Sequence, residues 1–242
     1  MIISITGFDG VGKSTSVEHV REQICNCFNL KGISAKAVNQ DSIIYQTVEE
    51  LDQIYHQLNA YDVISCPFYF RTKEYHSLQN ELMFADRDIF SDTKLITRIS
   101  NMAKGLADIW FDRVIKKLHA AGKIIVCDRY YYDEIAYRSL YMLGQTYLEN
   151  LYRRFSDADI RIFLYAEYET ILQRNKNRDD LKGALFQRPD KMRELLNNLD
   201  EICTKYEMTT INIRHKNKAE VTNEIFEAVE PFLEQRMARF TD

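Results

Sequence analysis

Apolar residues along this chain keep two different rhythms, and the switches between them mark the elements. Short unbroken runs, rich in β-branched residues, read as strands buried on both faces: Met1 to Thr6, Lys123 to Asp128 and Asp159 to Tyr165. Ile33 to Val38 and Thr209 to Ile213 read as two weaker strands. Between them the apolar positions recur at helical spacing. Val17, Val20, Ile24 and Phe28 define a helix from Ser14 to Phe28, closed by Lys31-Gly32. Further helices are expected over Asp41 to Asn59, Glu74 to Phe84, Asp92 to Ala121, Glu134 to Tyr152, Glu167 to Asn175, Asp190 to Tyr206 and Ala219 to Phe240. An aromatic stretch, Cys66 to Arg71, separates two of these. Strands alternating with helices imply an α/β fold: a five-stranded parallel sheet flanked by helices, with ligands at the carboxyl ends of the strands.

The first strand-to-helix turn carries the chemistry. Gly7-Phe8-Asp9-Gly10-Val11-Gly12-Lys13-Ser14-Thr15 fits G-x-x-x-x-G-K-[ST] in the strand–loop–helix context that the pattern requires. Its glycines let backbone N–H groups curl around a phosphate, and the new helix adds its positive end. Lys13 suits the β- and γ-phosphates, and the Ser14 hydroxyl suits Mg²⁺. The pattern therefore calls for a nucleoside triphosphate with Mg²⁺, held by Gly7, Asp9, Gly10, Val11, Gly12, Lys13, Ser14 and Thr15. The expected fold class is a P-loop NTPase.

Two further segments fit that frame. Asp128-Arg129-Tyr130 follows its strand as directly as the glycine loop follows the first. Position alone suits equally an N-cap aspartate beside a solvated arginine; next to the loop, Asp128 becomes a metal-shell carboxylate and Arg129 a phosphate ligand. The run from Arg174 through Arg178 to Arg188 concentrates cations between two helices. It reads either as a solvated helix end or as a lid, about residues 174–188, that brings guanidinium groups to a transferring phosphoryl and excludes water. Arg71 and Lys73 read either as solvated charges or as further contacts to a bound phosphate.

Composition narrows the partners. At 242 residues the chain is expected to form a single domain, 1–242. A net charge of −4 argues against a general nucleic-acid binder, while a small anionic nucleotide needs only a local cation cluster. No apolar run approaches membrane-spanning length, and the strand at the N-terminus leaves no room for a signal peptide. Five cysteines without ligand spacing read as reduced thiols, so a cytoplasmic location is expected. The five histidines form no ligand pattern, and Trp110 is expected in the core.

With these residues in place, the chain resembles the thymidylate kinase family of P-loop nucleoside monophosphate kinases. The resemblance rests on the glycine loop with its acidic third position, on Asp128-Arg129-Tyr130 followed by Ile135-Ala136-Tyr137, and on the arginine-rich run. It implies that Asp9 meets the acceptor sugar hydroxyl, Arg129 the acceptor phosphate and Tyr137 the sugar. Some family members carry an arginine in the loop; here that position is Gly10, so the resemblance assigns the catalytic guanidinium to Arg174 and Arg178. Helices around residues 92–121 and 134–152 could supply a homodimer face, as in related kinases.

The departures concern the acceptor side. The R-E-P-G-G-T-like stretch is replaced by Val38-Asn39-Gln40-Asp41-Ser42. Where the family has F-A-x-x-R, this chain has Ala103-Lys104-Gly105-Leu106-Ala107-Asp108, and the serine and glutamine after D-R-Y are Asp133 and Arg138. Residues of about 40–105 therefore read as a divergent acceptor-binding insert. The expected reaction is phosphoryl transfer to a nucleoside monophosphate, dTMP or a related nucleotide. Two alternatives stand beside it: a kinase for a deoxynucleoside or another hydroxyl, with Asp133 or Asp9 as base, and an ATP-binding switch with little turnover.

Overall fold

The computed structural model describes residues 1–38, 58, 61–67, 93–141, 143–176, 185–186 and 188–238. The helices expected over Asp41–Asn59 and Glu74–Phe84, the aromatics Phe68–Phe70, and Arg71 and Arg178 lie outside these residues. In chain order come β1 (Ile2–Gly7), α1 (Lys13–Leu30), β2 (Ala37–Val38), β3 (Val63–Pro67), α2 (Thr93–Trp110), one π-helical turn (Phe111–Ile115), α3 (Lys116–Ala120), β4 (Ile124–Asp128), α4 (Tyr131–Ser139), α5 (Gln145–Tyr152), β5 (Ile160–Tyr165), α6 (Tyr168–Asn175), α7 (Pro189–Lys205), β6 (Thr209–Asn212) and α8 (Lys218–Ala238).

All strand pairs are parallel, in the order β2-β3-β4-β1-β5-β6. The sheet thus has six strands where the periodicity gave five. The additional one is β3, Val-Ile-Ser-Cys-Pro, whose residues pair with Ile124–Asp128 of β4. It is five residues long and runs into the aromatic stretch, so no local boundary announced it. Two other readings change: β2 shrinks to two residues, and the stretch over 134–152 is two helices. Asp92 to Ala121, which reads equally as one long helix or two end to end, is one run, continuous through its π turn.

The central strands are apolar on both faces because helices cover both. Ile2, Ile3 and Ile5 of β1, Ile124 to Cys127 of β4 and Ile162 to Leu164 of β5 are all buried. Trp110 is buried with them, and all five cysteines are free thiols. Ile125 sits at the centre, in register with Ile2 on one side and Ile64 on the other, and is 0% exposed. Ile125→Ala should therefore cost about 2–5 kcal/mol, since packed neighbours on both sides resist collapse into the cavity. A lower midpoint in chemical denaturation with an unchanged slope checks this.

Parallel pairing gathers the carboxyl ends of β1, β4 and β5 on one edge. The chain crosses to opposite sides of β1, toward β4 and toward β5, which opens a crevice beside that strand's end. No helix among the described residues is long and apolar enough to cross a membrane.

Candidate active site

The crevice is occupied by the glycine loop. Gly12, the residue before α1, has a φ of 99°, a left-handed conformation that a side chain would strain; it turns the loop directly into the helix. No acidic residue stands in the first turn of α1, so the helix end presents its N–H groups without a competing carboxylate. Val11 is buried, whereas Ser14 is exposed toward the crevice side of the helix start.

Lys13 is 5% exposed, and its Nζ donates to the carbonyl of Phe8 at 2.7 Å across the loop. Burial pushes its pKa down to about 8, with the Arg129 charge adding to the effect and Asp9, Asp128 and Asp133 opposing it. Next to it, Ser14 Oγ donates to Asp128 Oδ2 at 2.5 Å. The loop and the end of β4 therefore meet through two oxygen ligands, a hard donor set suited to an ion that keeps most of its shell as water and phosphate. Among the described residues no group of three or more His, Cys, Asp or Glu could hold a metal, so any ion here would rely on this pair and on its substrate.

Arg129 holds the opposite wall. It adopts a φ of 70°, uncommon for a residue with a side chain, anchored by its N–H to Ile5 O at 3.1 Å. One edge of its guanidinium faces Asp133 Oδ1 at 3.1 Å and Gly7 O at 3.5 Å. The other edge pairs with Asp9 and lies 3.5 Å from the Tyr137 hydroxyl. The plane sits 4.9 Å from the Tyr137 ring centroid, and Tyr137 in turn donates to Asp9 Oδ2 at 3.0 Å.

Asp133 lies beneath this cluster. It is 1% exposed and also accepts from Thr6 Oγ1 at 3.0 Å, Gly7 N at 3.3 Å and Tyr130 N at 3.2 Å. Burial raises its pKa, while Arg129, Lys13 and these donors pull the other way. A carboxylate so fully engaged ties β1, the D-R-Y turn and α4 into one unit.

The predicted residues Gly7 to Thr15, Asp128, Arg129 and Tyr137 are thus brought together. Arg174 is turned elsewhere: its Nη2 donates to Ile213 O at 3.1 Å and Lys216 O at 3.3 Å, in the loop after β6. Its neighbour Asn175 reaches the glycine loop instead, with Nδ2 donating to Asp9 O at 3.1 Å. Phe186 packs edge-on against Phe8, ring centroids 5.8 Å apart. Neither Asn175 nor Phe186 was singled out by sequence reasoning, and no local signal marks them. Asp133 was considered only as a base; its spacing of four from Arg129 on a helix start was the available sign of a structural partner.

The acceptor side also departs in space. Ala103 and Ala107 are packed in the core at 1% exposure. Arg138 is buried between helices, its Nε donating to Glu134 at 2.7 Å and its Nη1 to Ser100 Oγ at 2.8 Å.

The family model "Thymidylate kinase" matches residues 99–225, more than half of the chain. A Methanocaldococcus jannaschii protein named as a probable thymidylate kinase is 31% identical over 101 residues, covering 42% of this chain and 51% of its own length. The chain thus spans about half the length of that curated relative. The solved thymidylate kinase of Candida albicans shares the fold with a TM-score of 0.59 at 18% identity, over 95% of this chain and 91% of the other. From the D-R-Y turn through the helices that frame it, this chain belongs to the thymidylate kinase family.

Proposed function

We propose that this chain transfers the γ-phosphoryl of ATP to a nucleoside monophosphate, dTMP or a related nucleotide, giving the diphosphate. One observation carries the reading. A phosphate loop with its lysine and Ser14–Asp128 pair stands at the end of β1 and β4, and the Asp9–Arg129–Tyr137 cluster stands on the facing wall of the same crevice. In this reading the donor and acceptor groups are adjacent on one sheet edge. Family membership supports the acceptor class.

In this reading residues 1–242 act as one kinase domain. The loop N–H groups and Lys13 hold the β- and γ-phosphates, Arg129 takes the acceptor phosphate, and Asp9 with Tyr137 receives the sugar. An acceptor phosphate oxygen forms the new P–O bond as the bond to the β-phosphate oxygen breaks, and ADP leaves. Positioning and charge neutralisation suffice, so no covalent enzyme intermediate is needed. Ser14 and Asp128 are the residues that would hold Mg²⁺, which when bound supplies charge neutralisation between the phosphates. The cationic run of 174–188 serves as the lid. Within it Arg174 would have to exchange the carbonyls of Ile213 and Lys216 for phosphate oxygens. Arg71 and Arg178 keep their proposed acceptor and lid roles.

Asp133 as a base for a hydroxyl acceptor is disfavoured by its four hydrogen-bond donors and its burial. Mg-ATP turnover across dTMP, the other nucleoside monophosphates, free nucleosides and buffer alone tests the proposal. Stimulation by a monophosphate is expected. Stimulation only by unphosphorylated nucleosides, or by no acceptor, overturns it.

A further inference from the structure

Asp9 stands between the two cations of the crevice. Its Oδ1 accepts from Arg129 Nη2 and lies 4.0 Å from Lys13 Nζ, while its Oδ2 accepts from the Tyr137 hydroxyl at 3.0 Å. The edge of Arg129 that faces an incoming phosphate is therefore already bonded to an anion of the protein's own. A guanidinium pairs with a carboxylate or with a phosphate through the same N–H groups, so the two compete for that edge.

The surrounding contacts decide which partner gives way. Arg129 is pinned by its backbone N–H to Ile5 O at 3.1 Å, by Nη1 to Asp133 Oδ1 at 3.1 Å and by the Tyr137 ring, 4.9 Å from its plane. The backbone of Asp9 is held too, because Asn175 Nδ2 donates to Asp9 O at 3.1 Å. The Asp9 carboxylate is the most open group of the cluster, its side chain 32% exposed against 18% for Arg129 and 2% for Asp133. Rotation of that side chain releases Oδ1 from Arg129 while loop and arginine stay where they are. Oδ1 then needs a new donor, since a carboxylate separated from its cation in a partly desolvated crevice is costly. A hydroxyl on the incoming molecule supplies one; a bare anion does not.

We propose that Asp9 sets the acceptor class by exchange: a phosphomonoester displaces Oδ1 from Arg129, and a hydroxyl of the same molecule bonds Oδ1 while Oδ2 stays on Tyr137. A molecule that brings only one of the two groups breaks the ion pair and replaces half of it. The inference rests on the kinase reading above, which gives Arg129 the phosphate and Asp9 the sugar. It adds that neither contact forms without breaking the same Asp9–Arg129 pair, so the two are selected together.

The test uses the full chain with Mg²⁺ and a saturating non-hydrolysable ATP analogue, so that the glycine loop is taken, and titrates sulfate, methyl phosphate and dTMP. Asp9→Asn keeps the size of the side chain but removes the competing charge. It should bind sulfate and methyl phosphate about tenfold more tightly than the wild type, since Arg129 is no longer held back from them. dTMP should gain far less, because the carboxylate that meets its hydroxyl is gone as well; its preference over methyl phosphate should shrink accordingly. Asp9→Ala, which removes both oxygens, should show the same pattern, and a thermal melt confirms that each variant is folded. No gain for sulfate in either folded variant, or an equal gain for all three anions, overturns the inference and leaves the kinase reading intact. An equal gain is what the loss of one negative charge nearby gives without any exchange. A wild type that binds no nucleoside monophosphate overturns both.

Discussion

Lys13→Ala should lower kcat/KM for ATP-dependent transfer by at least about 10²–10³-fold while leaving the protein folded. The two halves of this expectation have different causes. The lysine is the loop's buried cation, and its ammonium donates across the loop to Phe8 O. Removing it deletes charge stabilisation in a desolvated site, where such groups contribute most. Stability should change little, because burial already disfavours the charged form and its loss removes that penalty. Lys13→Arg should fail to rescue, since a guanidinium is larger and the pocket leaves 5% of the lysine exposed. The lowered pKa of about 8 adds a pH dependence. Below about pH 8 the ammonium is present before nucleotide arrives, and binding needs no proton from it. Above that value a polyphosphate must bind together with a proton. ATP affinity should then fall by up to about tenfold per pH unit, and Lys13→Ala should lack that fall. Nucleotide titrations between neutral and alkaline pH, with circular dichroism as the folding control, check both statements. Retained transfer in the alanine variant would end the phosphate-loop assignment.

What could be seen in advance follows from where the determinants lie. β1, β4 and β5 were legible because a strand buried on both faces has no choice but an unbroken apolar run. The glycine loop was legible because its conformation demands glycine at fixed places. β3 was not, because its five residues merge with neighbouring aromatics and its identity as a strand comes from pairing with β4. The break between α4 and α5 was hidden by continued apolar character through Leu140 and Leu143. In the site, Lys13, Ser14, Asp128 and Arg129 could be grouped because each follows a strand or lies in the glycine loop, whereas Asp9 and Tyr137 joined them through the family resemblance. Asp133 and Asn175 owe their roles to contacts 126 and 166 residues away. The direction of Arg174 was equally hidden, since its partners are backbone carbonyls of a loop that nothing in its own helix specifies.

Arg129→Ala should cost about 3–5 kcal/mol of stability. The guanidinium bridges Asp9 and Asp133, and the second of these is 1% exposed. Truncation leaves that buried carboxylate with its hydrogen bonds but without its paired guanidinium, and only the Lys13 charge still favours its ionised form. The loss should also carry a pH signature. Burial already raises the Asp133 pKa and Arg129 opposes that rise, so the variant's carboxyl must titrate higher still. A raised carboxyl pKa means that the folded state binds the extra proton. Stability is then greatest below the ordinary carboxyl range near pH 4 and declines as pH climbs through the folded value. The wild type should show the same slope more weakly. Arg129→Ala combined with Asp133→Asn removes the stranded charge but sets an amide NH2 against the N–H of Gly7 or Tyr130, so it should recover only part of the stability, and none of the acceptor affinity if Arg129 is the phosphate ligand proposed above. Denaturation curves across pH and acceptor kinetics for the single and double variants separate these effects. An additive double variant, or a single variant as stable as the wild type, would show that Asp133 does not depend on Arg129 for its charge. The contact between them would then be incidental to both fold and site.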